Sequence, residues 1–140
     1  MASKSETSHV TLRNEVSEIS RLEPFLKEFA PGAGLGEADI KALNLALEEA
    51  VTNIVRYAYP VGREGTVGLD ACVTDTEIRF TLTDGGIPFD PTERPDPDVT
   101  LGVEDRPIGG LGIYMVRKIM DEVRYERKGA MNVLTMIKKR

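Results

Sequence analysis

The sequence places a carboxylate and a carboxamide four residues apart in a segment of helical periodicity. Glu49 and Asn53 would lie one turn apart on the helix predicted for residues 37–59, so both side chains can face one ligand. An amide oxygen is a suitable ligand for Mg²⁺, and a neighbouring carboxylate can act as a general base. Two polar side chains on a solvated helix face would give the same pattern. Glu48 is an alternative base by residue type, but it points well away from Asn53 around the helix, which favours Glu49.

Two glycine-rich stretches supply further candidate ligand contacts. Asp84-Gly85-Gly86 follows a predicted strand, where the Asp84 carboxylate can accept a hydrogen bond from an exocyclic amino group and Gly86 lets a flat ring approach the backbone. Gly109-Gly110-Leu111-Gly112 opens a predicted helix, whose exposed N–H groups attract phosphate. Taken separately, these stretches are explained more simply by a plain Asp-Gly turn and by a glycine-rich loop that binds no ligand. The second stretch is not a P-loop, because no Gly-Lys-Ser/Thr follows it.

The elements that position these residues are predicted from hydrophobic periodicity. Three helices are expected: over residues 15–30, over residues 37–59, and from the second glycine stretch to about Glu122. In the first of them, Asn14 would be the cap and Pro24 a possible kink. The central helix has an apolar stripe formed by Ile40, Leu43, Leu47, Val51, Ile54 and Ala58. Strands are expected over residues 9–13, 66–73, 78–82, 123–127 and 131–137. Strands joined as hairpins pair antiparallel, so the pattern predicts an α+β two-layer sandwich, a mostly antiparallel mixed sheet with about three helices on one face.

Composition limits the class of protein. The chain of 140 residues fits one domain, with residues 1–8 as a flexible tail and residues 9–140 as the domain. Its net charge of -5 argues against a nucleic-acid surface, and no run approaches the roughly 20 apolar residues that span a bilayer. The single cysteine, Cys72, fits a reducing compartment, and residues 1–9 lack the apolar core of a signal peptide. The sequence therefore predicts a cytoplasmic protein that binds neither nucleic acid nor membrane.

The order and spacing of the three motifs resemble the GHKL (Bergerat-fold, HATPase_c) ATP-binding domain over about residues 9–138. Glu49-Ala50-Val51-Thr52-Asn53 resembles its N box, and Asp84-Gly85-Gly86 and Gly109-Gly110-Leu111-Gly112-Ile113 resemble its two glycine boxes. Asn132-Val133-Leu134-Thr135-Met136 is similar to its closing strand. Within this superfamily the chain is most similar to the stand-alone anti-sigma-factor serine/threonine kinases of bacterial partner-switching systems.

The resemblance implies ATP and Mg²⁺ as cofactors and a role for each matching residue. Glu49 would be the catalytic base, Asn53 would hold Mg²⁺ and Asp84 would bind the adenine amino group. Further nucleotide contacts are implied for Gly86 in the adenine pocket, Gly110, Leu111 and Gly112 around the phosphates, Arg106 at phosphate or partner, and Thr135 near the adenine. Residues 87–108 would form a lid over the nucleotide.

The implied function is phosphorylation of a serine or threonine on a small antagonist protein, together with sequestration of a sigma factor. The resemblance also suggests a homodimer. A protein-binding module that uses nucleotide without kinase activity is one alternative, and the intact Glu49 argues against it. A histidine-kinase-like ATPase domain is another, although the only histidine, His9, lies outside any predicted helix pair.

Overall fold

In the computed structural model, which describes residues 6–60, 62–93 and 110–140, a five-stranded sheet forms one layer of the protein. The strands are β1 (Glu6–Arg13), β2 (Thr66–Val73), β3 (Glu77–Asp84), β4 (Glu122–Lys128) and β5 (Met131–Lys139). Their order across the sheet is β1-β2-β3-β5-β4. Every pairing between these described strands is antiparallel. The sheet was predicted to be mostly antiparallel, and these strands contain none of the parallel pairs that a mixed sheet would have.

Three helices form the second layer: α1 (Leu22–Ala33), α2 (Glu37–Asn53) and α3 (Gly110–Ile119). A π-helical turn, Ile54–Ala58, extends α2, and α1 and α3 both pack against α2. Strand β2 alternates between buried and more exposed side chains, because the helices cover only one face of the sheet. The predicted α+β two-layer sandwich is thereby confirmed. Within the described ranges, no helix has the length and apolar character needed to cross a membrane.

The start of the predicted first helix differs from expectation. Asn14 does not cap it: the N-cap position is Glu15, without a side-chain capping hydrogen bond, and the Asn14 amide nitrogen donates to the Arg63 carbonyl oxygen at 2.9 Å. A 3₁₀ turn over Val16–Arg21 precedes α1 instead. Pro24 then falls in the first turn of α1, where a missing N–H removes no helical hydrogen bond, so no kink is required.

Several helices and strands also begin or end at residues other than those predicted. Helix α1 continues through Pro31 to Ala33 and is capped by Gly34, whose φ of 71° suits a glycine. Strand β1 begins at Glu6, so the predicted tail of residues 1–8 is too long. Helix α3 ends at Ile119 rather than near Glu122, which is the first residue of β4.

Candidate functional site

The first turn of α3 lies against the polar face of α2. A Cβ atom built on Gly112 would lie 3.0 Å from Glu49 Oε2 and 3.3 Å from Asn53 Nδ2. The two side chains therefore reach the same point beside the glycine-rich turn. Asn53 is only 4% exposed, so its part of α2 is buried rather than solvated as the helical pattern alone suggested.

The amide of Asn53 has no hydrogen-bond partner within the described ranges, and its Nδ2 atom is fully buried. An unsatisfied buried polar group typically costs about 1–3 kcal/mol, which is consistent with an amide kept for a ligand. Glu48, the alternative base, accepts a hydrogen bond from Asn44 Nδ2 at 2.9 Å, one turn earlier on α2. The carboxylate that lies beside Gly112 and Asn53 is thus that of Glu49.

The donor set limits the kind of metal site that fits here. In the part of the chain that the structure describes, no group of three or more His, Cys, Asp and Glu side chains is arranged so that it could hold a metal ion. Mg²⁺ is commonly held by one or two protein oxygens together with substrate phosphates and water. The Oδ1 atom of Asn53, 3.5 Å from the position of a Cβ on Gly112, can supply one protein oxygen to this sparse kind of site. The unpartnered atom, Nδ2, is a hydrogen-bond donor and suits a phosphate oxygen rather than the ion.

Asp84 is the second candidate, at the end of β3, where it is 2% exposed. Its Oδ1 atom accepts hydrogen bonds from the Gly86 amide nitrogen and from Asn132 Nδ2, each at 2.9 Å. Its Oδ2 atom accepts none from any described residue. Burial raises the pKa of Asp84, and the hydrogen bonds and the positive charge of Arg127 oppose that rise. A buried carboxylate with one free oxygen can receive a ligand amino group.

The raised pKa of Asp84 predicts a pH dependence of stability. Between its ordinary value of 3.8 and the raised value, the folded state binds more protons than the unfolded state. The contribution of Asp84 to the free energy of unfolding should therefore fall as pH rises through this interval. Urea unfolding of wild type and Asp84→Asn over this range would check it. A pH-independent stability difference between the two proteins would contradict the shift.

Gly86 lies where the chain passes the end of α2. A Cβ there would lie 2.3 Å from the Ala58 carbonyl oxygen, and Ile87 donates its amide hydrogen to that same oxygen at 2.8 Å. A side chain at this position would therefore meet backbone atoms that cannot move independently. The structure thus supplies a packing reason for this glycine; its contact with a ring remains a prediction.

We expect Gly86→Ala to lower the free energy of unfolding by about 3 kcal/mol, because overpacking against backbone is seldom relieved. Urea denaturation would measure the change. Gly68→Ala on β2 is the matched control, since its added Cβ would meet His9 Cε1 at 3.4 Å, an ordinary contact with a side chain. Equal stability of the two variants would contradict the expected clash.

Tyr59 holds the turn that follows Asp84. Its role was not predicted from the sequence. Its hydroxyl donates to the Thr66 carbonyl oxygen at 2.8 Å and accepts from the Gly85 amide nitrogen at 3.0 Å. Arg63 lies over its ring and donates to the Gly85 carbonyl oxygen at 3.3 Å. A cavity of about 860 Å³ lies on this side, but none of the predicted site residues lines it.

The described part of the predicted lid, residues 87–93, is attached to the domain. Asp90 Oδ1 accepts from the Thr92 amide nitrogen at 2.8 Å, and Arg117 of α3 donates to the Thr92 carbonyl oxygen. The rings of Phe89 and Tyr57 lie 5.5 Å apart. The start of this segment is therefore held by the end of α2 and by α3.

The other predicted site residues have different outcomes. Residues 94–109, with Arg106 and most of the predicted lid, lie outside the described residues. Gly110, Leu111 and Gly112 form the first turn of α3, and the first N–H groups of a helix have no partner within it.

The position of Thr135 does not fit the predicted contact with an adenine at Asp84. Asp84 pairs with Asn132 in the β3–β5 ladder, and their side chains are hydrogen-bonded on one face of the sheet. Thr135 is three residues further along β5, where it pairs with Thr81. Because successive side chains alternate between faces, Thr135 points to the opposite face. On β5, the residue beside Asp84 is Asn132.

Comparisons with known proteins agree with this architecture. A family model described as the histidine kinase-like ATPase domain matches residues 12–138. The serine/threonine-protein kinase BtrW of Bordetella bronchiseptica is 31% identical over 94 residues, which cover 67% of this chain and 66% of that protein. The serine-protein kinase RsbW of Listeria monocytogenes is 28% identical over 134 residues, which cover 92% of this chain and 84% of that protein.

A solved structure shows the same fold. The structure of the RsbU and RsbW domains of a Mycobacterium tuberculosis protein matches with a TM-score of 0.66 at 18% identity, covering 95% of this chain and 31% of that chain. The predicted similarity to the serine-kinase branch of the GHKL superfamily is confirmed by the relatives that match. Because the family model spans nearly the whole sequence, the chain belongs to the histidine kinase-like ATPase domain family.

Proposed function

We propose that the protein is an ATP- and Mg²⁺-dependent serine/threonine kinase of the anti-sigma-factor type. It would phosphorylate a small antagonist protein and bind a sigma factor when the antagonist is unavailable for binding. The observation that carries the proposal is the convergence of Glu49 and the unpartnered Asn53 amide beside Gly112. The relatives named as serine kinases support the same conclusion.

The proposed mechanism assigns one task to each part of the site. Asp84 Oδ2 accepts a hydrogen bond from the adenine amino group, and the N–H groups at the start of α3 donate hydrogen bonds to phosphate oxygens. Asn53 would hold Mg²⁺ together with those phosphates, and the ion supplies positive charge against the negative charge of the triphosphate. Glu49 orients the acceptor hydroxyl and takes its proton while the hydroxyl oxygen bonds to the γ-phosphorus and the bond to ADP breaks.

Calorimetric titration of ATP with and without Mg²⁺ tests the nucleotide site. We expect wild type to bind ATP more tightly with Mg²⁺, and Asn53→Ala to lose about 10–100-fold in that affinity, the usual range for perturbed metal sites. Asn44→Ala is the matched control, because Asn44 lies on the same helix and contacts Glu48 instead. Equal Mg²⁺-dependent affinity in wild type and Asn53→Ala would contradict the metal role.

Incubation with Mg-ATP and a candidate antagonist from the same genome tests the kinase. An acid-stable phosphoprotein is expected, because phosphoserine and phosphothreonine survive acid whereas phosphohistidine does not. An acid-labile product would support the histidine-kinase-like alternative. Tight ATP binding without any phosphoprotein would support the binding-module alternative.

A homodimer and a cytoplasmic location are further parts of the proposal. Strand β1 lies at one edge of the described sheet, and a free strand edge can pair with another chain. The single cysteine supports a reducing compartment. Gel filtration at tens of micromolar protein is expected to give a dimer, and a monomer would contradict this part of the proposal.

A further inference from the structure

Asn132 is a buried amide whose hydrogen bonds join three parts of the candidate site. It is 3% exposed and is the direct partner of Asp84 across the β3–β5 ladder. Its Nδ2 atom donates to Asp84 Oδ1 at 2.9 Å and to the Ile87 carbonyl oxygen at 2.7 Å. Its Oδ1 atom accepts from the Phe89 amide nitrogen at 3.3 Å and from Arg127 Nη1 at 3.1 Å. The donor and acceptor sides of this amide are therefore both in use.

The chemistry of the neighbours determines which way this amide points. The Phe89 amide nitrogen and the Arg127 guanidinium can only donate hydrogen bonds, so they require the oxygen of Asn132 on their side. The Tyr125 hydroxyl also donates to that oxygen. The nitrogen of Asn132 must then face Asp84, and the arrangement does not depend on an arbitrary choice between amide oxygen and nitrogen.

This orientation decides which oxygen of Asp84 a ligand can reach. Asn132 Nδ2 and the Gly86 amide nitrogen both donate to Oδ1, which leaves Oδ2 as the acceptor for a ligand donor. Arg127 Nη1 also donates to the Gly86 carbonyl oxygen at 2.9 Å, so the glycine turn and Asn132 are held by one guanidinium. The direction of Asp84 Oδ2 is therefore set by Asn132 on β5 and Arg127 on β4, and not by Asp84 alone.

We propose that Asn132 is a positioning residue for selection of the nucleobase. It directs Asp84 Oδ2 toward a hydrogen-bond donor on the nucleobase and so favours a 6-aminopurine over a 6-oxopurine nucleotide. The proposal rests on the proposed nucleotide site. The 6-amino group donates hydrogen bonds, whereas the 6-oxo group can only accept them and would face the carboxylate oxygen unfavourably. Discrimination of this kind is large when a buried polar group would be left unpaired.

Calorimetric titration of ATP and ITP against wild type, Asn132→Ala and Thr135→Ala tests the proposal. Wild type should bind ATP at least about tenfold more tightly than ITP. Asn132→Ala should lose about tenfold in ATP affinity, the effect of one lost hydrogen bond, and little in ITP affinity, so the ATP/ITP ratio falls. Thr135→Ala lies on the same strand and the other face, and it should keep the wild-type ratio.

A second variant keeps the test decisive if Asn132→Ala does not fold. Asn132→Thr retains a hydroxyl that can donate toward Asp84, so it should recover part of the ATP/ITP ratio. Equal losses for both nucleotides, or an unchanged ratio in both Asn132 variants, would overturn the positioning role. Absence of ATP binding in wild type would instead overturn the proposed nucleotide site, and this inference with it.

Discussion

Replacing Glu49 by glutamine is expected to lower the rate of antagonist phosphorylation by about 10²–10⁴-fold, the usual contribution of a general base. Glutamine has nearly the same shape, so the side chain can keep its place beside Gly112 and Asn53. Its amide can no longer take a proton from the acceptor hydroxyl. Because Glu49 acts on the acceptor hydroxyl rather than on the adenine or the ribose of ATP, the affinity for ATP should change little.

Single-turnover phosphorylation and calorimetric titration would measure these two quantities separately. Glu48→Gln is the matched control, since Glu48 is the adjacent carboxylate and is engaged with Asn44. Equal rate losses in the two variants would contradict the assignment of Glu49 as the base. A large loss of ATP affinity in Glu49→Gln would point to a role in binding instead.

Asp84→Asn is expected to weaken ATP binding by about 10²-fold, which corresponds to the upper range for hydrogen bonds to charged groups. Gly86 and Asn132 both donate to Oδ1, so the oxygen of the substituted amide must take that place. Its NH₂ group would then face the adenine amino group, and two donors would oppose each other. An NH₂ group at this point can instead donate to the oxygen of a 6-oxopurine, so ITP should lose much less affinity than ATP.

Calorimetry with both nucleotides would check this expectation, with urea denaturation to verify that the variant is folded. Asp70→Asn on β2 is a suitable control, because Asp70 pairs with His9 on an exposed part of the sheet. Unchanged ATP affinity in Asp84→Asn would remove Asp84 from the proposed adenine site. A parallel loss for ATP and ITP would show that the base is not recognised at this carboxylate.

The sequence alone predicts the elements whose signals are local. Strand β2 was expected over residues 66–73 and has those bounds, because alternating side chains and flanking turn residues are read within the segment. The approach of Glu49 and Asn53 follows from helical geometry in the same way. Leu43, Leu47 and Val51 of the predicted apolar stripe are buried, whereas Ile40 is only partly covered.

Local signals were insufficient where tertiary contacts compete with them. Helix α1 continues through Pro31, although the predicted helix ends at residue 30, and its last buried residue is Ala33. Phe29 and Ala33 belong to the core, so packing stabilises the extra turn. Helical periodicity alone allows Asn53 to lie on a solvated face, and only the packing of α3 shows that it is buried.

The pairing of Asp84 with Asn132 shows most clearly what only the tertiary structure decided. Periodicity in β5 places Asn132, Leu134 and Met136 on one face, and an amide within that apolar row is a signal that sequence reasoning could have used. The position of that row relative to Asp84 depends on the register between β3 and β5, in which the paired residues Asp84 and Asn132 are 48 positions apart in sequence. A motif determines which residue types are present, but register decides which face and which partner each one has, so that Asn132 and not Thr135 faces Asp84.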